Sequence, residues 1–190
     1  IKKLSKGGRI YKRTDKSLKL TPEIQKCFGI DKQNVSPLEL IQAILRAETE
    51  LLWFGGIGTY IKSSRESHAD VGDKANDPLR IDAKDVRAKV IGEGANLGVT
   101  QCGRIEYASC GGKVNADFID NSGGVDASDH EVNIKILLQD VVQDKNQKLT
   151  EKQRNTLLEK MTDTVGALVL KNNYQQTEGL SLMQEMSAER

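Results

Sequence analysis

Two short strings hold the residues whose types and spacing could do chemistry. The first is KVIGEGANLGVTQCG, residues 89–103, where Val90-Ile91 runs into Gly92-Glu93-Gly94 much as a strand runs into a glycine turn. A dinucleotide phosphate cradle needs G-x-G-x-x-G, the third glycine sitting where strand and helix pack closely. Here the sixth position is Leu97 and Gly98 comes one residue late, so the match fails. Asn96 adds an amide where a bland residue would do. The second string is FIDNSGGVDASDHE, residues 118–131. As a strand ending at Asn121, a glycine turn and a helix capped by Ser128, it would offer backbone N–H groups and a hydroxyl to a carboxylate or phosphate. The same pattern serves equally as a plain cap, with Asp129 and Glu131 favouring the helix dipole.

Other chemistries find less support. His130-Glu131 begins like H-E-x-x-H, but Ile134 stands at the fifth position, so the two-histidine zinc pair is missing. Asp126 and His130 share a helix face at i, i+4, yet two ligands do not make a metal site, and none is expected. His68 sits in a polar stretch without an evident partner. Cys102 and Cys110 have no histidine placed in sequence to activate them.

The totals narrow the field further. The 190 residues suit one domain, or one domain with a small appendage. The formal net charge is only +1, which gives no argument for a nucleic-acid partner. Aromatics at 4% are too few for the stacking platforms of single-strand binders. No apolar run reaches the length of a membrane span, so no membrane association is expected. Three cysteines with no CxxC pair point to a reducing, cytoplasmic setting rather than a disulfide framework. The chain opens on Ile1, without an initiator Met, and reads as a piece of a longer protein.

The elements that would position these strings are legible in part. LTPEIQKCFG predicts a helix with Thr21 as N-cap, Pro22 at its first position and Gly29 as its stop. VSPLELIQAILRAE predicts another, with a Ser36–Glu39 capping box and Leu38, Ile41 and Leu45 on one face. ELLWF and AKVIG read as buried strands, residues 62–82 as loop, and Thr100 to about Cys110 as a helix. KVNADFIDN reads as a third strand. Most glycines then fall in three clusters, each after a predicted strand, as expected of a ligand crevice at the carboxyl ends of a parallel α/β sheet. Beyond Ser128 the texture turns helical: Ile134, Leu137, Leu138 and Val141 recur at helical spacing. A Thr150–Gln153 capping box opens a further helix with Leu157, Leu158, Met161, Val165 and Leu168 on one side. The tail from Gly179 reads as a short, fraying helix.

EGAN (93–96) followed by NSGGVDAS (121–128) resembles the paired EGAN and NAGGV-x-x-S signatures of glutamate dehydrogenases. LLWFGGIGTY, ADVGDKAND, RAKVIGEGANLGVTQ and DNSGGVDASDHEVNIKILL look specifically like the large bacterial NAD-specific members. The resemblance is strongest over residues 50–142. It implies a partial Rossmann-like parallel sheet flanked by helices: residues 1–128 as the later part of the dinucleotide-binding domain, 129–190 as a helical segment packing toward the substrate domain. It also implies that the glycine fingerprint lies on an earlier strand, and that EGAN meets the nicotinamide end of NAD. On that footing Gly55 and Gly56 would line the cofactor ribose, and Glu93 and Gly94 would shape the turn. Asn96 would contact the nicotinamide ribose or carboxamide, and Asn121 the nicotinamide or substrate. Val125 and Ser128 would face the side chain and distal carboxylate of L-glutamate or 2-oxoglutarate.

The full enzyme would be a homo-oligomer in which the rest of the polypeptide is this chain's partner. Ser122 stands where the family has Ala. No motif here carries the family's catalytic lysine and aspartate, so catalytic residues are expected outside the chain, and Lys89 and Lys113 receive no such role. Two other readings stay open: a different amino-acid dehydrogenase of the same architecture, and a non-catalytic α/β interaction or regulatory module.

Overall fold

The computed structural model describes residues 4–144 and 149–188, so Ile1, Lys2 and Lys3 of the basic opening stretch lie outside the described residues. The chain divides into two compact units, Ile1–Asp117 and Phe118–Arg190. The first is mixed α/β. Its central sheet has three parallel strands, β3 (Leu51–Phe54), β6 (Val90–Glu93) and β7 (Lys113–Val114), in the order β3-β6-β7. Two smaller pairs flank it: antiparallel β1 (Leu18–Lys19) with β2 (Asn34–Val35), and parallel β4 (Ile61–Lys62) with β5 (Ile81–Asp82).

The helices begin where their capping residues put them. In α1 (Pro22–Phe28) the Thr21 hydroxyl accepts from the Ile24 amide at 3.3 Å, and Gly29 closes the helix at φ +65°. In α2 (Pro37–Leu45) the Ser36 hydroxyl and Glu39 carboxylate exchange hydrogen bonds with each other's backbone amides, a complete capping box. That backbone bond, helped by Lys32, holds the Glu39 carboxyl down to about 2. The buried face of α2 differs from the expected one. Leu38 is 43% exposed, while Leu40 joins Leu18, Leu20 and Val35, and Leu45 with Ile41 joins Phe54 and Ile91. The helix bridges two apolar clusters, so its buried stripe is wider than a single row.

Residues 62–82 are not plain loop. They carry the end of β4, all of β5, the helical turn α3 (His68–Val71), and a turn of 3₁₀ helix at Lys74–Asn76. Strands of two residues leave no periodicity to read; their apolar anchors are the buried Ile61 and Ile81. The third predicted strand also shortens. Only Lys113 and Val114 pair with β6, and Asp117–Asp120 forms a helical turn, α5. The third glycine cluster, Gly123-Gly124, therefore follows a helical turn rather than a strand.

Helix α4 (Gln101–Ser109) starts under the Thr100 cap and lays Tyr107 in the core, where its hydroxyl donates to the Ala88 carbonyl at 2.6 Å. The second unit holds α5 from Phe118 onward, α6 (Val125–Gln143) and α7 (Glu151–Ala188). Thr150 and Gln153 form the expected capping box at the start of α7. The tail from Gly179 is not a separate helix. α7 continues through it, since a glycine weakens a helix interior by about 1 kcal/mol without breaking its hydrogen bonds.

Candidate functional site

β3 and β6 are adjacent and parallel, with Phe54 opposite Glu93 in register. Their carboxyl ends therefore release the Gly55-Gly56 turn and the Gly94-Ala95-Asn96 turn side by side, at the edge where open parallel sheets bind ligands. A cleft of about 320 Å³, lined in part by Trp53, Phe54, Gly55, Gly56 and Tyr60, opens beside the first turn. That is the lower end of ligand-pocket sizes, room for part of a dinucleotide. Trp53 is 55% exposed and lies across the second turn. A Cβ on Gly94 would come within 2.4 Å of its indole, and one on Gly92 within 2.5 Å. Glycine at these positions lets the ring lie against the backbone.

The EGAN turn does not run into a helix. After Asn96 the chain passes through Leu97 at φ +66°, the one non-glycine residue with positive φ among the described residues. That conformation costs a side-chain-bearing residue about 1–2 kcal/mol. Three groups sustain it. The Leu97 amide donates to Asp117 Oδ2 at 2.9 Å, and the Val99 amide donates to Glu93 Oε1 at 3.1 Å. The other Glu93 oxygen accepts from Arg104 through Nη2 at 2.7 Å and Nε at 3.0 Å. Arg104 also lies 3.6 Å from Asp117. The Glu93 side chain is 0% exposed, and burial pushes its carboxyl above the ordinary range against the pull of Arg104. Glu93 thus faces inward and shapes the turn from beneath. The near-miss to the dinucleotide fingerprint has its explanation here: the turn is built to carry a buried carboxylate, not a phosphate.

The GGIGTY turn rests on a second buried arginine. Arg80, its side chain fully buried, donates to the Thr59 carbonyl at 2.9 Å and the Asp73 carbonyl at 2.6 Å. It also donates to Asp77 at 2.5 Å and meets His68 Nδ1 at 2.8 Å. A guanidinium has only donors, so Nδ1 accepts. Asp73 takes the Thr59 amide at 2.9 Å, and that bond, with Asn76, keeps its carboxyl low. The histidine without an evident partner in sequence is thus one member of an arginine clamp.

In the second unit the Asn121 carbonyl accepts from the Gly124 and Val125 amides at 3.0 and 2.9 Å. Helix α6 begins at Val125 with Gly124 as its N-cap, so Ser128 is not the cap; it lies within the helix, exposed, one turn along the face from Val125. The amide of Asn173 on α7 pins the preceding turn, donating to the Ile119 carbonyl at 2.7 Å and to Ser122 Oγ at 3.1 Å. Asp126 and His130 do meet, at 3.6 Å, and the third group beside them is the Asn172 amide. A larger, apolar groove of about 750 Å³ runs between α6 and α7, lined by Ile134, Leu158, Met161 and Val165 among others. It includes none of Asn121, Val125 or Ser128 and is a seam of helix packing.

Gly55, Gly56, Glu93, Gly94 and Asn96 thus gather at one sheet edge of the first unit, while Asn121, Val125 and Ser128 gather at the start of α6 in the second. Sequence reasoning missed Arg104, Asp117 and Arg80. A signal existed for the first: a carboxylate on a predicted buried strand demands a cation, and Arg104 lies on the next helix.

An α/β fold with a parallel sheet, two glycine turns side by side at its carboxyl edge and helices following is of the open-sheet class that binds ligands at that edge. Residues 1–183 match the family model of the bacterial NAD-glutamate dehydrogenase catalytic domain. The chain is 61% identical over its whole length to the NAD-specific glutamate dehydrogenase of Pseudomonas aeruginosa, of which it covers 12%. It is 56% identical over 97% of its length to that of Halomonas elongata, and 52% identical over 92% to that of Mycobacterium tuberculosis, covering 11% of each. The chain belongs to the bacterial NAD-glutamate dehydrogenase family, and spans about one-ninth of the length of the curated relatives it matches. Among the described residues no helix is long and apolar enough to cross a membrane.

Proposed function

We propose that this chain works within a longer NAD-specific glutamate dehydrogenase, supplying the nicotinamide side of the cofactor site and part of the substrate pocket. The observation that carries the reading is the pairing of β3 with β6, which delivers Gly55-Gly56 and Gly94-Ala95-Asn96 to one sheet edge. The fit to a dinucleotide rests on backbone access at the first turn: a Cβ on Gly56 would meet nothing within 4 Å, and the cleft beside Gly55 and Gly56 is open. NAD, when bound, accepts the hydride that leaves the α-carbon of glutamate, in a reaction whose products are 2-oxoglutarate and ammonium.

The residues of this chain bind and orient. Gly55 and Gly56 let the backbone approach the ribose, and the Asn96 amide fixes the nicotinamide ribose or carboxamide. Asn121 faces the nicotinamide or substrate, and Val125 and Ser128 face the substrate's side chain and distal carboxylate. Residues 1–128 act as the later part of the dinucleotide-binding domain and 129–190 as the segment directed to the substrate domain. The family's catalytic lysine and aspartate belong to a part of the enzyme outside this chain. Holding cofactor and substrate in this way lets hydride donor and acceptor meet in a fixed geometry.

Ser128→Ala in the full-length enzyme tests the substrate half of the proposal. The KM for glutamate is expected to rise about tenfold, the equivalent of about 1.4 kcal/mol for a lost hydrogen bond to a charged group. The Kd for NADH, measured by fluorescence, is expected to stay within about twofold. Equal losses in both would remove Ser128 from the substrate pocket.

A further inference from the structure

We infer that Arg104 and Asp117 are positioning residues for the cofactor, holding the Gly94–Leu97 turn in its binding geometry from beneath, although neither faces the cleft. The inference rests on the functional reading above and adds to it the parts that set where Asn96 points. Arg104 projects from α4 under the turn, its side chain 11% exposed, and grips Glu93 Oε2 with Nε and Nη2. Glu93 passes the constraint upward through the Val99 amide, three residues beyond Asn96. Asp117, at the end of the β7 connection, takes the Leu97 amide, adjacent to Asn96, and lies within 3.6 Å of Arg104.

Asn96 therefore sits in a loop fastened on both sides, at Glu93 and at Leu97, by one charged cluster. The positive φ of Leu97 is the mark of that fastening: an exposed leucine adopts it here because Asp117 and Glu93 capture the amides on either side of Gly98. A loop without those bonds would relax to ordinary φ and turn the Asn96 amide away from the sheet edge. Glu93 is the link, because its buried carboxylate is satisfied only while α4 supplies Arg104.

The test uses the full-length enzyme with Arg104→Lys and Asp117→Ala. Lysine keeps the charge but cannot present two donors in a planar fork. Three readouts are taken: hydrogen exchange at the Leu97 and Val99 amides, Kd for NADH, and KM for glutamate. The expected result is faster exchange at both amides, a Kd for NADH raised about tenfold for Arg104→Lys and less for Asp117→Ala, and a glutamate KM within about twofold of wild type. Unchanged exchange at Leu97 and Val99 in both variants would overturn the inference, as would equal losses for NADH and glutamate. A wild-type enzyme that binds no NADH, alongside faster exchange in the variants, would sink the functional reading while upholding the hold on the turn.

Discussion

Replacing Arg104 by methionine is expected to destabilise the first unit by about 3–5 kcal/mol, the range for breaking a buried ion pair on one side. The substitution keeps much of the side-chain volume but leaves the Glu93 carboxylate, 0% exposed, without its two charged donors. The pair's presence does not imply an equal net gain over an apolar pair, since both charges are desolvated. The cost of Arg104→Met comes from orphaning one partner. Glu93→Gln with Arg104→Met removes the stranded charge, and the double variant should recover part of the loss, a clear departure from additivity. A urea titration read at Trp53, the chain's single tryptophan, reports the change directly because the indole lies on Gly92 and Gly94.

The pH dependence has a definite sign. Burial raises the Glu93 carboxyl above its ordinary value, so its contribution is fully present below the unfolded pKa and declines as pH climbs through the folded one. Stability of the first unit should fall across that window, more steeply in Arg104→Met and not at all from this source in Glu93→Gln.

Arg80→Met is expected to cost about 2–3 kcal/mol, through the orphaned Thr59 and Asp73 carbonyls. The effect is smaller than for Arg104 because Asp73 and Asp77 are each about a quarter to a third exposed and take up water in place of the guanidinium. Its local consequence is a looser GGIGTY turn, visible as faster hydrogen exchange at the Thr59 amide, which Asp73 accepts. Here the pH sign is opposite. The Asp73 carboxyl is held below its ordinary value, so its contribution is present above the unfolded pKa and is lost as pH falls through the folded one. One glycine turn is thus weakened by acid and its neighbour by a rise out of the carboxylate range.

The sequence revealed local signals well and long-range partners poorly. Caps at Thr21, Ser36 and Thr150 were legible because each is decided within three or four residues. So were β3 and β6, whose apolar runs end in glycine. The segment 113–121 misled because its apolar residues, Val114, Ala116, Phe118 and Ile119, alternate at first as in a strand and also fit a helical turn. What decided it was that β6 offers partners only to Lys113 and Val114. Ser128 misled for a related reason: a serine followed by acidic residues reads as a cap, but the Asn121 carbonyl already captures the Gly124 and Val125 amides and starts the helix earlier. No spacing rule marks the arginine clamps, since Arg80 meets Thr59 across 21 residues and Arg104 meets Glu93 across 11; only the buried position of Glu93 hinted at the second. Of the site itself, the residue types and their order were readable, while the buried support that fixes their geometry was not.

The proposal most open to a direct test is that the Gly55-Gly56 and Gly94–Asn96 turns hold the nicotinamide end of NAD. The direct measurement is an experimental structure of the full-length enzyme with NADH bound. The proposal predicts the Asn96 side chain within hydrogen-bond reach, about 3 Å, of the nicotinamide half of the cofactor. A nicotinamide bound away from Asn96, or at the opposite edge of the sheet from Gly55 and Gly56, would contradict it.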